Sequence, residues 1–338
     1  MDIIRWGILG TGRIARAFAQ DLQRLPDSSL AAVGAASLEE ARQFATALKL
    51  PRAYGSYAEL AADPEIDIIY IVTPAAFHKE HAFLCLDAGK AVMVEKPFAL
   101  TAVDARQIAD YARSKNLFCM EAMWMRFIPA MQEAVRLLKS GVIGDIYMIS
   151  ASLNLYHEFD PQHPLFDPQR GGGAMLDLGV YPLSLIHQLL GRPSAVSSQA
   201  YVGASGVDEN TAVLLHFPDG QIASLSAGIR GNGRNDALIM GTRGTLHIHS
   251  PLYRPTVLTV EQHESAADSP PVRKLYKKIK RWINGREQLK ISCNGHGYGY
   301  EAAEAAQCLR ENQLESLIIS LDDSIAIMET MDAIRRPD

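Results

Sequence analysis

The apolar positions fall into two regimes along the chain. Up to about residue 120, short continuous apolar runs alternate with helical patterns. The runs are Ile3–Leu9, Leu30–Ala36, Ile66–Val72, Ala91–Val94 and Leu117–Met120. The helical patterns lie near Ile14–Leu22, Glu39–Leu48, Phe77–Ala88 and Asp104–Ser114. A strand covered on both faces has no polar side to show, so it reads as an unbroken apolar run. Strand, helix, strand in repetition predicts an α/β, doubly wound parallel sheet.

After about residue 125 the pattern changes. Phe127–Leu138 reads as a helix. Strand-like stretches then follow without helices between most of them: Ile146–Leu155, Ala195–Tyr201, Thr211–Phe217, Ile222–Ile229, Ala237–Met240, Thr245–His249 and Thr256–Val260. Pro218-Asp219-Gly220 and Gly241-Thr242-Arg243-Gly244 carry hairpin-turn chemistry. An α+β lobe with a largely antiparallel open sheet is expected, with helix returning over 300–335. The length of 338 residues exceeds one ordinary core. The expected division is a parallel-sheet lobe over 1–122 and a second lobe over 123–338.

Composition narrows the class. Hydrophobic residues are 48% and charged residues 21%, as in globular proteins. A net charge of −5 gives no reason to expect nucleic acid as a partner. Cys85, Cys119, Cys293 and Cys308 have neither CxxC nor metal-ligand spacing, so they read as reduced thiols. No apolar stretch reaches the roughly 20 residues that cross a bilayer, and no signal-peptide pattern is evident. A cytoplasmic protein with no membrane partner is the expectation.

The first apolar run ends in Gly10-Thr11-Gly12-Arg13-Ile14-Ala15, a G-x-G-x-x-A turn that opens a helix. The first glycine allows the tight turn, the second lets backbone approach a pyrophosphate, and the small third residue lets helix and strand pack closely. The helix N-terminus supplies free N–H groups to the phosphates. This is a Rossmann fingerprint for NAD or NADP. The second run ends in Gly34-Ala35-Ala36-Ser37-Leu38-Glu39-Glu40, with neither a ribose-binding acid nor a phosphate-binding arginine at Ala36. Ser37 could bond either group, Glu39 and Glu40 would repel a phosphate, and Arg42 follows. The choice between NAD and NADP stays open.

Ala91–Val94 runs into Glu95-Lys96-Pro97. A lysine at the carboxyl end of a parallel strand points into the ligand crevice. Partial removal from water would weaken its preference for the charged form, which suits acid–base work. The tripeptide alone fits a surface lysine equally well, and its Lys-Pro bond could be cis.

Ala174–Leu190 is apolar on nearly every side and follows Gly171-Gly172-Gly173, so it predicts a buried helix. Asp177 and Tyr181 are four apart and share a face. Pro182 crowds the carbonyl of Leu178, which predicts a bend near Gly179. Taken alone, Asp177 could be a cap or half of an ion pair, and Tyr181 a core aromatic.

Together these segments resemble the Gfo/Idh/MocA oxidoreductases over nearly the whole chain. The marks are Gly10-x-Gly12, Ile71-Val72-Thr73-Pro74 with His78, Glu95-Lys96-Pro97, and Gly171 to Tyr181. Met120–Phe127 and Tyr181 are similar to the branch containing dimeric dihydrodiol dehydrogenase and NADP-dependent xylose dehydrogenases. That branch carries arginine where this chain has Ala36 and Glu40.

The resemblance implies that Gly10, Gly12, Arg13 and Ile14 hold the pyrophosphate. It implies that Thr73, Pro74 and His78 line the path to the nicotinamide, with Glu95 and Lys96 at its end. Trp124 and Arg126 would wall the substrate pocket. Tyr181 would be the acid–base residue, with Asp177 one turn before it. The open sheet of the second lobe would join copies into a homodimer or homotetramer.

The expected function is hydride exchange between a nicotinamide and the carbinol or carbonyl carbon of a sugar, polyol or dihydrodiol. Tyr181 would move the proton, Lys96 would stabilise the oxyanion, and Asp177 would orient the substrate. A non-catalytic dinucleotide sensor is the alternative, and an NAD-using glycosidase a more distant one. No metal is expected, because the pairs His78/His81 and His247/His249 lack a third ligand and His157-Glu158 lacks a second histidine. His187 reads as a core residue. Arg273–Arg286, with Leu275, Ile279, Trp282 and Ile283 at helical spacing, reads as an amphipathic cover or, alternatively, a surface for anionic partners. Gly297-Tyr298-Gly299-Tyr300-Glu301 is either a plain helix entry or an aromatic brought near the site.

Overall fold

The computed structural model describes residues 3–263 and 286–335. The amphipathic helix expected from Arg273–Arg286 falls outside them, except that residue 286 opens a strand.

The first sheet holds β1 (Ile4–Leu9), β2 (Ser28–Gly34), β3 (Arg52–Tyr54), β4 (Ile68–Ile71), β5 (Ala91–Glu95) and β6 (Cys119–Ala122). All pairs are parallel, in the order β3-β2-β1-β4-β5-β6. The order reverses between β1 and β4. Connections leave in opposite directions there, which opens a crevice at the carboxyl ends of the strands.

The helices are α1 (Arg13–Leu22), α2 (Leu38–Leu48), α3 (Tyr57–Ala62), α4 (His78–Asp87) and α5 (Ala102–Lys115). Hydroxyls of Ser37, Ser56 and Thr101 cap α2, α3 and α5 by accepting from Glu40 N, Glu59 N and Asp104 N. Trp6, Ile8, Phe18, Ile69, Tyr70, Val92 and Val94 are wholly buried between the layers. Removing one such side chain, as in Phe18→Ala, costs about 3–5 kcal/mol. The edge strand β3 and the helix α3 were not anticipated, because three and six residues are too short to show a period.

The second sheet has β7 (Ile146–Asn154), β8 (Ala195–Val202), β9 (Asp208–His216), β10 (Ile222–Gly228), β11 (Ala237–Gly241), β12 (Gly244–Ile248), β13 (Val257–Gln262) and β14 (Arg286–Lys290). Their order is β14-β13-β12-β11-β7-β10-β9-β8. Only β7 and β10 pair in parallel. Both expected hairpins form, β9–β10 and β11–β12. Along β9, Glu209, Thr211, Val213 and Leu215 are buried while Asn210, Ala212, Leu214 and His216 are exposed. The covered face packs on α7 (Val180–Leu190), with α6 (Pro129–Lys139) against β12 and β13. On the other face Ser150, Leu214 and Ile222 are exposed among the described residues.

Two features bear on the site. The helices Gly299–Arg310 and Leu321–Arg335 return to pack, the first on α1 and the second on α5 and α7. The bend expected near Gly179 takes the form of a π-helical turn, Met175–Gly179, just before α7. Pro182 has no N–H to offer the turn before it, and the wider turn absorbs the mismatch. A side chain at position 179 would clash with Met175 Sδ at 2.5 Å, so glycine permits this packing.

Candidate active site

The glycine-rich turn sits at the crevice. Gly10 has φ +119°, donates to Gly34 O at 3.0 Å, and has no room for a Cβ, which would lie 3.0 Å from Val72 O. Gly12 caps α1 and faces open space. Unlike α2, α3 and α5, α1 has no capping side chain and no acid in its first turn. Among the described residues no side chain caps its first N–H groups, which fits a dinucleotide pyrophosphate. Arg13 is exposed and Ile14 half-buried at this end. Ser37 is exposed, with its oxygen accepting Glu40 N at 3.3 Å. Glu40 folds back so that its carboxylate accepts from the Thr11 hydroxyl inside the turn.

Strand β5 delivers Lys96 to the same crevice, and the Lys96–Pro97 bond is cis. Lys96 Nζ donates to both the carbonyl and the carboxylate of Asp177 at 2.8 Å. It lies 5.0 Å from the centroid of the Tyr181 ring. Lys96 is 13% exposed and Asp177 42%, so the pair opens toward the cleft from the acid's side. Burial opposes the charge on Lys96, but Asp177, Tyr181 and Glu95 outweigh it and hold the ammonium well above the ordinary lysine range. Partial burial alone would weaken the preference for the charged form; the hydrogen-bonded Asp177 carboxylate reverses that balance and favours the ammonium. Packing around Asp177 likewise works against its charge, yet Lys96, His157 and Arg13 hold its carboxyl below the usual range.

Tyr181 is 6% exposed. Its oxygen accepts the indole N–H of Trp124 at 2.9 Å. Burial, opposed by Lys96, pushes its hydroxyl up to about 12. Trp124 is wedged among Tyr253 at 5.8 Å and Tyr298 at 4.8 Å between centroids. Both readings of the Gly297–Glu301 stretch describe Tyr298, which caps the helix Gly299–Arg310 and packs its ring on Trp124. Tyr253 was missed, and its loop carries no period or motif that would reveal it.

Three expected site residues lie elsewhere than supposed. His78 is 1% exposed, its ring held between Thr73 O at 2.9 Å and Pro97 O at 3.0 Å. Burial, partly opposed by those carbonyls, lowers it to about 4. It braces two cleft loops rather than walling the cleft, and in its neutral form it donates to only one of the two carbonyls. Thr73, half-buried, and Pro74, exposed, do lie on the loop after β4. Glu95 is also buried, with Oε1 accepting from Tyr70 at 2.5 Å and Oε2 from Lys96 N at 2.8 Å. Burial, against the pull of Lys96, raises it to about 7. Arg126 is 1% exposed and donates to Ser184 Oγ, Ser184 O, Ile318 O and Asp323. Its guanidinium joins α7 to the C-terminal segment, while its neighbour Trp124 alone reaches Tyr181. His187, as expected, is a core residue, bonded to Thr330 at 2.9 Å.

A parallel sheet with a bare helix N-terminus at its switch point, facing a lysine, an acid and a tyrosine from a second lobe, defines a two-lobed dinucleotide oxidoreductase. Residues 4–123 match the oxidoreductase family with an NAD-binding Rossmann fold, and residues 131–247 match the GFO/IDH/MocA C-terminal domain. The chain belongs to this Gfo/Idh/MocA family, and it is an NAD(P)-dependent oxidoreductase. It is 36% identical over 339 residues to trans-1,2-dihydrobenzene-1,2-diol dehydrogenase of Mus musculus, covering 98% of this chain and 96% of that one. The Homo sapiens relative of the same description is 35% identical over 342 residues, with the same coverage. Among solved structures, levoglucosan dehydrogenase in complex with NADH superposes with a TM-score of 0.87 at 21% identity, covering 99% of this chain and 96% of that one. An aldose-aldose oxidoreductase from Caulobacter crescentus gives 0.85 at 21% identity, with coverage of 99% and 97%.

Proposed function

We propose that this enzyme exchanges a hydride between nicotinamide and a CH–OH carbon of a small hydroxylated ring, a trans-dihydrodiol or a sugar. The observation that carries this reading is the convergence of Lys96, Asp177 and Tyr181, from separate parts of the chain, at the mouth of the dinucleotide crevice. The relatives' dihydrodiol and sugar substrates support the substrate class.

A bound nicotinamide supplies the hydride chemistry. Gly10, Gly12 and the first turn of α1 hold the pyrophosphate. Tyr181 keeps its proton at neutral pH. Trp124 occupies one lone pair of its oxygen, which leaves the O–H free to point at substrate oxygen. When a carbonyl is reduced, Tyr181 gives that proton to the forming alkoxide, and it receives one in the reverse direction. The Lys96 ammonium lowers the cost of negative charge on either oxygen. Asp177 balances Lys96 and offers its exposed oxygen to a substrate hydroxyl.

Glu40 at the glycine turn and the absence of arginine at Ala36 favour NAD over NADP, since a 2′-phosphate there would meet a carboxylate. The open face of the second sheet, with Leu214, Ile222, Met148 and Met240 among small polar residues, fits pairing with a second copy. Among the described residues no helix is long and apolar enough to cross a membrane. Unpaired Cys85, Cys119 and Cys308 in the interior suit a reducing compartment such as the cytoplasm.

The test is absorbance at the NAD(P)H band, with NAD and NADP tried separately against trans-dihydrodiols, aldoses and inositols. Turnover of a dihydrodiol or sugar is expected. Tight dinucleotide binding without turnover across the panel would favour the sensor instead.

A further inference from the structure

Asp21 is the penultimate residue of α1 and is 3% exposed. An acid in the last turn of a helix faces the negative end of the helix dipole, so local energetics disfavour it there. Its carboxylate is committed to another segment. Oδ2 accepts from the backbone N–H of His296 at 2.8 Å, Gly297 at 2.8 Å and Tyr298 at 3.0 Å. Oδ1 accepts from His296 N at 3.0 Å and from Arg24 at 3.2 Å. Three successive N–H groups on one carboxylate form an anion nest closed by an internal acid.

The strap 295–298 is shaped on both sides for this grip. Gly295 has φ +58°, and a Cβ there would lie 2.1 Å from Asp21 Oδ1. Gly297 has φ +106°, and a Cβ there would lie 2.8 Å from Ile128 Cδ1 and 3.0 Å from Trp124 Cζ3. Both positions need a residue free of strain at positive φ and free of bulk. From the second lobe, Arg254 donates to Gly295 O at 2.5 Å, and its neighbour Tyr253 lies on Trp124. The strap then delivers Tyr298, whose ring packs on Trp124.

We propose that Asp21 is a positioning residue for the reaction: through the glycine strap 295–298 it couples the dinucleotide-binding helix to Trp124, and so sets Tyr181. The first turn of α1 holds the pyrophosphate and its last turn holds the strap. One rigid helix therefore references the cofactor and the acid–base residue to each other. The catalytic half of this statement rests on the reading of Tyr181 as the acid–base residue.

The experiment uses the full chain with NAD and trans-1,2-dihydrobenzene-1,2-diol, comparing wild type, Asp21→Asn, Gly297→Ala and the double variant. Trp124→Phe versions isolate the Trp124 part of the indole emission. Asp21→Asn is expected to shift that emission and to lower kcat by about ten- to a hundred-fold, the scale of a misplacement near 1 Å. NAD affinity should stay within about two-fold. Gly297→Ala disturbs the strap where it meets both the Asp21 carboxylate and Trp124, so it should reproduce the signature, and the double variant should be no worse than the poorer single one. Arg24→Ala removes an exposed partner of Asp21 and should leave kcat within about two-fold.

Unchanged Trp124 emission in Asp21→Asn overturns the proposal, and so does a kcat loss matched by an equal loss of NAD affinity. If Asp21→Asn does not fold, Gly295→Ala, whose added Cβ would meet the Asp21 carboxylate and not Trp124, decides by the same readouts. Full turnover by Tyr181→Phe would refute the acid–base reading instead. The emission shift needs no turnover, so it separates the two failures.

Discussion

Trp124 donates its indole N–H to the hydroxyl oxygen of Tyr181 at 2.9 Å, and both side chains are nearly buried. The bond fixes where the tyrosine oxygen sits and leaves its proton as the one free donor. Tyr181→Phe should therefore cut kcat by about 10²- to 10⁴-fold, the usual worth of a positioned acid–base group. Trp124→Phe keeps an aromatic ring but removes the donor, and should cost less, about ten-fold. Steady-state kinetics with a fluorescence titration of dinucleotide checks both. Tyr181→Phe with near-normal kcat would end the assignment.

The Asp177 carboxylate, 2.8 Å from Lys96 Nζ, outweighs the burial of Lys96 and favours its charged form. Lys96→Ala removes the cation beside the forming oxyanion and should lower kcat by roughly 10²- to 10³-fold. Dinucleotide binding should survive, because the proposal gives the pyrophosphate to the glycine turn after β1 and not to Lys96. Lys96→Arg keeps the charge, but its planar fork does not reproduce two 2.8 Å bonds from one nitrogen, so it should recover little. Rates that stay normal in Lys96→Ala would sink this role.

Stability should respond to pH in two opposed ways. Glu95 rises from 4.5 to about 7 in the folded state, mainly by burial. Its contribution is fully present below pH 4.5 and is lost as pH rises through 7. His78 and His187 fall from 6.5 to about 4, again mainly by burial. Their contributions are present above pH 6.5 and are lost as pH falls through 4. Urea unfolding of wild type and Glu95→Gln at several pH values isolates the first effect. The stability of wild type relative to the variant should decline from pH 4.5 to 7 and then level off. A pH-independent difference would show that Glu95 keeps an ordinary pKa.

Much of this was legible in the residues. Continuous apolar runs marked the strands of the first sheet, and alternation marked the second, because burial on two faces or one leaves those periods. Local motifs placed Gly10, Gly12, Lys96 and the Asp177–Tyr181 pair. Long-range geometry was hidden. Glu95, His78 and Arg126 look like site residues beside their motifs, but their polar atoms are consumed by Tyr70, by two carbonyls and by Ser184 and Asp323. The direction of the Lys96 shift depends on charges that reach it from the turn Met175–Gly179 and from β5, which no local pattern reports. Tyr253 and Asp21 act through partners far along the chain, so their roles follow from contacts alone.

Glu40 and Thr11 set the last expectation. The Glu40 carboxylate accepts from the Thr11 hydroxyl within the glycine turn, and Ala36 at the end of β2 offers no cation. A 2′-phosphate at this end of the crevice meets negative charge, while a ribose hydroxyl does not. NAD should therefore be the better substrate by kcat/KM. Glu40→Arg reverses the local charge and should shift the NADP-to-NAD ratio by at least about ten-fold, a change that needs only about 1.4 kcal/mol. Ala36→Arg added to it should extend the shift. The effect should shrink at high salt, because both residues are exposed and screened. Competition kinetics with the two dinucleotides measures the ratio directly. A wild type that prefers NADP, or a Glu40→Arg variant with an unchanged ratio, would show that the 2′ position is read elsewhere.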